Sequence, residues 1–265
     1  MEQTTQLGDA ITGGLSYIGS LASLGGRAAY FAFIGPFRGQ PLRLHRAIPQ
    51  AMDVGIRALP ILSVITFFIG LILALQSGYE LRRFGALNYV AGAVAASMTR
   101  ELGPLITAIL VIGRSGSSFA AELGTMKVTE EIDALKTMGI DPIRFMVTPK
   151  FLAMVLMLPC LTVWADSMGI LGGAVFGVTQ ADFTWGRYVR ASVNSLLLRD
   201  IISGLIKSVV FGMTMTAVGC QEGLSTGGGA EEIGRSTTRA VVMSIFLVIG
   251  VDLVFTALFF FMGAG

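Results

Sequence analysis

Ala58 to Tyr79 is a run of 22 residues without a charged side chain, rich in Leu, Ile and Phe. A bilayer core is crossed by about 20 apolar residues in helix, because every backbone N–H and C=O must then be satisfied within the segment. Four later apolar runs have similar length but carry charge: Val90 to Gly113 with Arg100 and Glu101, Phe151 to Val178 with Asp166, Ile201 to Gln221 with Lys207, and Ala240 to Met262 with Asp252. The pattern predicts an all-α membrane protein with five transmembrane helices. The rest of the chain agrees: 53% of residues are hydrophobic and 14% charged, against about 25% charged in soluble domains. Such a chain is neither disordered, nor a nucleic-acid-binding surface, nor a disulfide scaffold. Cys160 and Cys220, 60 residues apart in apolar segments, read as small buried hydrophobes, and the single histidine, His45, supplies no zinc site and no catalytic triad. No cofactor is expected.

Residues 1–50 form a separate N-terminal region before the spanning domain of residues 51–265. Leu7, Ile11, Leu15, Ile18 and Ala22 recur at helical spacing with Asp9, Thr12, Ser16 and Ser20 between them, which predicts an amphipathic helix in the membrane interface. Gly25, Gly26 and Arg27 argue against a sixth span. The first basic residue is Arg27, so no positively charged leader is expected. Counting Lys and Arg in the loops gives 12 on the side shared by the N-terminus and 5 on the other. The richer side should be the cytoplasm, leaving the C-terminus outside.

Ionisable groups inside a membrane each cost about 2.5–3.5 kcal/mol on insertion scales. At about 1.5 Å per residue, Glu101, Lys207, Asp252 and Asp166 all fall about 20–24 Å from the cytoplasmic edge of their spans. Two readings remain compatible: an ion-pair cluster that fixes helix register, with Lys207 meeting Asp252 or Glu101, or a polar lining for a charged head group. Arg100 and Glu101 are neighbours and point about 100° apart, so they cannot share a partner. Asp166 could face an outer vestibule. Gly169, Gly173 and Gly177 form small-xxx-small steps that favour close helix packing. Leu71, Leu75, Leu102 and Leu105 would suit acyl chains.

The longest loop, Arg114 to Lys150, has 37 residues, too few for a soluble domain. Gly227-Gly228-Gly229 lacks the Lys-Ser/Thr of a phosphate-binding loop, so the chain is not expected to hydrolyse ATP. Within that loop, Thr129 should cap a short helix over residues 129–139. Glu130, Glu131 and Asp133 crowd its first turn, Lys136 sits in its last, and Gly139 follows as the left-handed residue before Asp141-Pro142. Val128, Ile132, Leu135 and Met138 make an apolar stripe, which could lie back on the membrane domain or dock into a cytosolic partner.

The stretches Ser97–Pro104, Gly113–Ser117, Ala121–Gly124, Glu130–Leu135 and Met138–Pro142 together resemble the MlaE-type permeases. The likeness continues through Leu205–Phe211, Ser236–Val242 and Gly250–Val254, and covers nearly the whole chain after about Arg43. The resemblance implies a non-catalytic permease of the ABC system that maintains outer-membrane lipid asymmetry, set in the bacterial inner membrane. It implies a homodimer of five-span subunits with an N-terminal interfacial helix, an ABC ATPase below and a hexameric MCE-domain protein in the periplasm. Some such systems add a STAS-domain protein. Phospholipid would lie in an outward-facing cavity at the dimer interface. On this resemblance Glu101, Lys207 and Asp252 match the family's intramembrane charged positions, and with Arg100 beside them they are expected to form an intramembrane charge network. Residues Gly70 to Gln76 with Tyr79 resemble the family's lipid-lining end of the first span, and the apolar Leu102 and Leu105 are expected to complete that lining. Glu130, Glu131, Asp133, Leu135, Met138 and Gly139 belong to a coupling helix that receives force from the ATPase. Asp166 stands where the family pattern leads one to expect an apolar residue. An ion-coupled secondary transporter is the alternative, although inverted repeats, frequent in such folds, are not evident. An intramembrane enzyme using Arg100, Glu101 and Asp166 would lack a nucleophile motif or a metal set.

Overall fold

The computed structural model describes residues 2–38, 44–181 and 183–261. Among these residues there is no strand. The helices are α1 (Glu2–Ala29), α2 (Leu44–Arg83), α3 (Val90–Ser97), α4 (Gly103–Val111), α5 (Ser117–Val128), α6 (Glu131–Thr137), α7 (Thr148–Gln180), α8 (Trp185–Ser195), α9 (Leu198–Leu224) and α10 (Ala230–Phe261). Wider π-helical turns over Met98–Leu102 and Ile112–Gly116 join α3, α4 and α5, and another over Ile143–Val147 leads into α7. Five segments are long and apolar enough to cross a membrane: His45–Arg83, Leu87–Val128, Ile143–Gln180, Leu198–Leu224 and Ala230–Phe261. Each predicted span lies inside one of them, except that Met262 is outside the described residues. The spans extend well beyond the predicted loop edges. Arg114 to Val128 and Ile143 to Lys150 are helical, so the link between spans two and three shrinks to Thr129–Pro142. Charge does not end these helices, because Glu122 and Lys150 pair with each other within them, as described below.

Two compact units divide the chain. One comprises Met1–Gln50, Ile112–Ala153 and Met213–Phe246, the other Ala51–Val111, Met154–Gly212 and Leu247–Gly265.

In the second unit, α2 and α7 approach backbone to backbone. A Cβ on Gly70 would strike the carbonyl oxygen of Gly169, and one on Gly172 that of Phe67. Lipid tails are as apolar as Leu, so helices in a bilayer gain little from burying Leu and rely on close contact at small residues. The Gly169, Gly173 and Gly177 steps serve this purpose against Met98, Val94 and Tyr188. Their neighbours Val90, Val94 and Met98 of the α3 segment, Ala174 and Phe176 of α7, and Tyr188 form one buried cluster. Helix α8, absent from the sequence reading, covers it with fully buried Tyr188. The Phe183 ring meets Tyr188 edge-on at 5.8 Å, and burial pushes the Tyr188 phenol up to about 12.

In the first unit, α1 lays Leu21, Leu24 and Ala28 against its neighbours, while Ile18 and Ala22 face outward. The packing stripe is thus offset from the predicted one, and the side chains of Leu7, Ile11 and Leu15 lie outside the described residues. Two polar bonds fasten α1: the Tyr17 hydroxyl donates to Glu222 at 2.6 Å, and Arg27 pairs with Asp141 at 2.7 Å. Burial and then the bond to the Glu222 carboxylate raise the Tyr17 pKa. Cys220 is buried, as expected, but Cys160 is exposed, and both are free. An apolar position on a spanning helix need not face protein.

Gly70→Ala should lower unfolding stability by about 1–3 kcal/mol, the usual cost of overpacking. Gly26→Ala, whose Cβ meets nothing within 4 Å, should leave stability unchanged or raise it. Equilibrium unfolding in mixed detergent and SDS micelles measures both.

Candidate functional site

The second span widens at Met98–Leu102 for a local reason. Pro104 has no N–H to donate to the carbonyl four residues earlier, and its ring crowds that carbonyl. The chain accommodates this with a π-helical turn, a form that recurs at functional sites. Arg100 and Glu101 sit on this turn and point to different partners, as their spacing requires.

Helix α9 reads the turn with one face. Asp200, Gly204 and Lys207 are at i, i+4 and i+7. The Arg100 Nε donates to Asp200 Oδ1 at 2.7 Å, and Asp200 Oδ2 accepts from the Leu197 backbone N–H at 3.0 Å. Gly204 lies so close that a Cβ would strike the Thr99 carbonyl oxygen. Lys207 Nζ donates to Glu101 at 2.6 Å, to the Thr256 hydroxyl at 2.9 Å, and lies 2.9 Å from Asp252 Oδ1. The Thr256 hydroxyl in turn donates to Glu101 Oε1 at 3.0 Å. Lys207 is 1% exposed, and Asp252 is largely covered. An ammonium this buried is tolerable only when each N–H meets an acceptor and counter-charge is adjacent. Both partners foreseen for Lys207, Glu101 and Asp252, are engaged together. A cleft of about 260 Å³ opens over this cluster, lined by the polar Arg100, Glu101, Ser203 and Lys207 and by the aromatic Phe259 and Phe260. A lining that combines polar and aromatic side chains suits an amphiphile.

Asp166 does not join the cluster. It is buried against Gly103, where a Cβ would strike its Oδ1, and that oxygen accepts no hydrogen bond from the described residues. Equal depth along a helix fixes height but not direction around the axis, and Gly103 is two residues past Glu101, on another face. The apolar positions also separate. Leu75, Gln76 and Tyr79 are exposed, Leu105 is half-buried, and Leu71 and Leu102 pack onto the buried cluster of the unit. Tyr79 accepts a hydrogen bond from Arg83 at 2.7 Å, with the guanidinium 4.6 Å from its ring centre. Ile61, Val64, Phe68, Ile72, Leu75 and Tyr79 form an exposed helical stripe along α2.

In the first unit, α6 is shorter than expected. Thr129 does not cap it. Its hydroxyl donates back to Thr125 and to Glu131, and Glu130 occupies the cap position at φ 62° without a side-chain capping bond. A left-handed non-glycine residue costs of order 1 kcal/mol and turns the chain sharply out of α5. Gly139, at φ 73°, ends the helix as foreseen. Its N–H reaches Lys136 O and that of Ile140 reaches Leu135 O, the paired bonds of a Schellman motif. The apolar stripe divides: Ile132 and Leu135 are buried in the unit, whereas Met138 is 65% exposed. Glu130, Glu131, Ala134, Thr137 and Met138 form the outward surface. Leu135 therefore anchors the helix within the unit. Asp133 accepts from Lys136 at 2.8 Å and Lys127 at 3.0 Å, which holds its carboxyl below the usual range.

Sequence reasoning passed over three polar anchors. Asp200 was hidden among loop charges, although its spacing to Lys207 was a usable signal. Lys150, 2% exposed, pairs with Glu122 at 2.5 Å and lies 4.9 Å from the Phe119 ring centre. Glu222, 3% exposed, takes Tyr17 and Arg239. No local pattern announces these last two.

Comparison with known proteins gives a consistent picture. Residues 47–258 match the family model described as Permease MlaE. The chain is 42% identical over 220 residues to a probable ABC transporter permease protein of Rickettsia prowazekii, covering 83% of this chain and 85% of that one. It is 36% identical over 244 residues to the intermembrane phospholipid transport system permease protein MlaE of Haemophilus influenzae, covering 91% and 92%. It is 39% identical over 223 residues to the Arabidopsis thaliana chloroplastic protein TRIGALACTOSYLDIACYLGLYCEROL 1, covering 82% and 62%. Arg100, Glu101, Asp200, Lys207 and Asp252 lie inside the matched span, and Phe259 and Phe260 of the cleft lie just past its end.

Removing one partner of a buried ion pair costs about 3–5 kcal/mol, because the other charge is stranded. Lys207→Ala should therefore destabilise the protein by that amount in SDS unfolding. The neutral set Lys207→Met, Glu101→Gln, Asp252→Asn should recover most of the loss, since no charge is then left unpaired.

Proposed function

The chain belongs to the MlaE permease family, and from that premise we propose that it is the non-catalytic membrane subunit of an ABC transporter that moves phospholipid between the inner membrane and a periplasmic MCE-domain carrier. This activity would maintain outer-membrane lipid asymmetry. The observation that carries the proposal is the cleft beside Lys207. Arg100 on its wall is 37% exposed and has guanidinium N–H groups to offer a phosphorylated head group, and Phe259 and Phe260 suit the first acyl carbons. The relative in Haemophilus influenzae is named for intermembrane phospholipid transport.

In the mechanism, two copies pair so that the exposed α2 stripe, with Leu75, Gln76 and Tyr79 at its end, lines a shared slot for acyl tails. The tails enter an apolar wall at no solvation cost, and the head group stays at the level of the charges. Arg100, fixed by Asp200, presents its remaining guanidinium edge to phosphate. Glu101, Lys207 and Asp252 hold the second, fourth and fifth spans in one register, so that movement of one is passed to the others. ATP is hydrolysed by a separate ATPase, which grips the outward face of α6 through Glu130, Glu131 and Met138. A STAS-domain protein attached to that ATPase would complete some assemblies. The N-terminus lies in the cytoplasm and the C-terminus in the periplasm, following the excess of Lys and Arg on the α6 side. Closure of the ATPases moves α6, narrows the slot and transfers the lipid.

Two measurements test this. Glu130→Lys with Glu131→Lys reverses the charge on the outward face of α6 and should abolish co-purification of the ATPase. Normal recovery would count against the docking surface. In proteoliposomes carrying the ATPase and the MCE-domain protein, the neutral set at Lys207, Glu101 and Asp252 should cut transfer of fluorescent phospholipid at least about tenfold, a loss of about 1.4 kcal/mol of transition-state stabilisation. Dimers should persist. Undiminished transfer would leave the cluster a purely structural element, and transfer driven by an ion gradient without ATPase would sink the proposal.

A further inference from the structure

A second cleft lies in the first unit, with a volume of about 570 Å³, between α1, α6 and the start of the third span. We propose that it binds a phosphoryl group, supplied by the head group of a phospholipid in the bordering leaflet.

Position is the first argument. The lining includes Lys127, Ile143 and Leu224. These residues stand at the ends of the segments Leu87–Val128, Ile143–Gln180 and Leu198–Leu224. Three spanning helices therefore have their ends around this cleft, on the side of the membrane that α6 occupies. The second argument is charge. Arg27, Lys127 and Lys136 converge on the cleft from α1, the end of α5 and the last turn of α6, and Asp141 is the one carboxylate in the lining. Lys127 and Lys136 share the single carboxylate of Asp133. Three cations thus meet two anions, an excess of one positive charge that a phosphodiester would neutralise. Arg27 spends Nη2 on Asp141, and a guanidinium carries five N–H donors in a fork that matches phosphate oxygens. The third argument is shape. Ile132, Ile140 and Leu224 form an apolar floor, and the volume exceeds what a bare oxyanion needs. A glycerol backbone and the first methylenes fit beside the charge.

The consequence is mechanical. Arg27 belongs to α1 and Lys136 to α6, so a bound head group bridges the two elements and steadies α6. The inference is separate from the transport pathway above. It requires only that these segments span a bilayer, and it would survive failure of the lipid-transfer experiment.

The test uses the full chain in phosphate-free maltoside micelles and reads hydrogen–deuterium exchange of the α6 amides. Dihexanoyl phosphatidylglycerol, at about ten times its Kd, should slow exchange about tenfold. Dihexanoylglycerol, which lacks the phosphoryl group, should leave exchange unchanged. Lys136→Gln and Arg27→Gln should each remove the protection, and Lys136→Arg should restore it. Arg235→Gln alters an exposed cation on α10 outside the lining, and should leave the protection intact. If inorganic phosphate alone protects equally, the site stands and its ligand is the free ion. The proposal is overturned if neither phosphoryl compound protects, if dihexanoylglycerol protects as well, or if Arg235→Gln abolishes the effect as Lys136→Gln does.

Discussion

An ammonium that is 1% exposed in an apolar layer cannot stand alone. This constraint organises the second unit. Lys207 draws Glu101 from the second span, and Asp252 and Thr256 from the fifth, into one polar knot. Few side chains of α10 are buried in that unit, Val248 being the fully buried one. Apolar packing alone would hold α10 weakly, because lipid offers the same contacts. The polar knot supplies what packing does not: a penalty for every arrangement in which the charges part.

The π-helical turn serves this arrangement. Pro104 forces a break in the hydrogen-bond ladder, and the break turns Arg100 and Glu101 toward two different stations on α9. Gly204 lets the helices come close enough for both bonds to form. Proline, glycine and charge act as one device here. In the first unit the same logic appears with Tyr17, Glu222, Arg27 and Asp141, where polar bonds fix a helix whose apolar face is narrow. Glu130 adds a strained left-handed turn that sets the entry angle of α6.

Much of the fold was legible in the sequence, because bilayer thickness imposes a length rule that no tertiary contact overrides. All five spans follow from apolar runs of sufficient length. The left-handed Gly139 and the engagement of Lys207 with Glu101 and Asp252 were also readable, the first from local backbone chemistry and the second from matching depths and opposite charges. What the sequence left undivided has one cause. Asp166 has the right depth and the wrong azimuth. Leu71 and Leu102 are apolar like Leu75, yet they pack into the protein while Leu75 stays exposed. Apolar composition in a membrane chain does not distinguish lipid from core.

The sequence by itself determined that the chain crosses a membrane, how many times, and at what height its buried charges lie, because hydropathy and helical rise are properties of each segment alone. Only the tertiary structure decided which faces meet: that Asp200 anchors Arg100, that Lys150 is neutralised by Glu122 within helices, and that Leu135 turns inward while Met138 turns out. Rotation of a helix about its own axis costs nothing until its neighbours are present, and so it is written in no single segment.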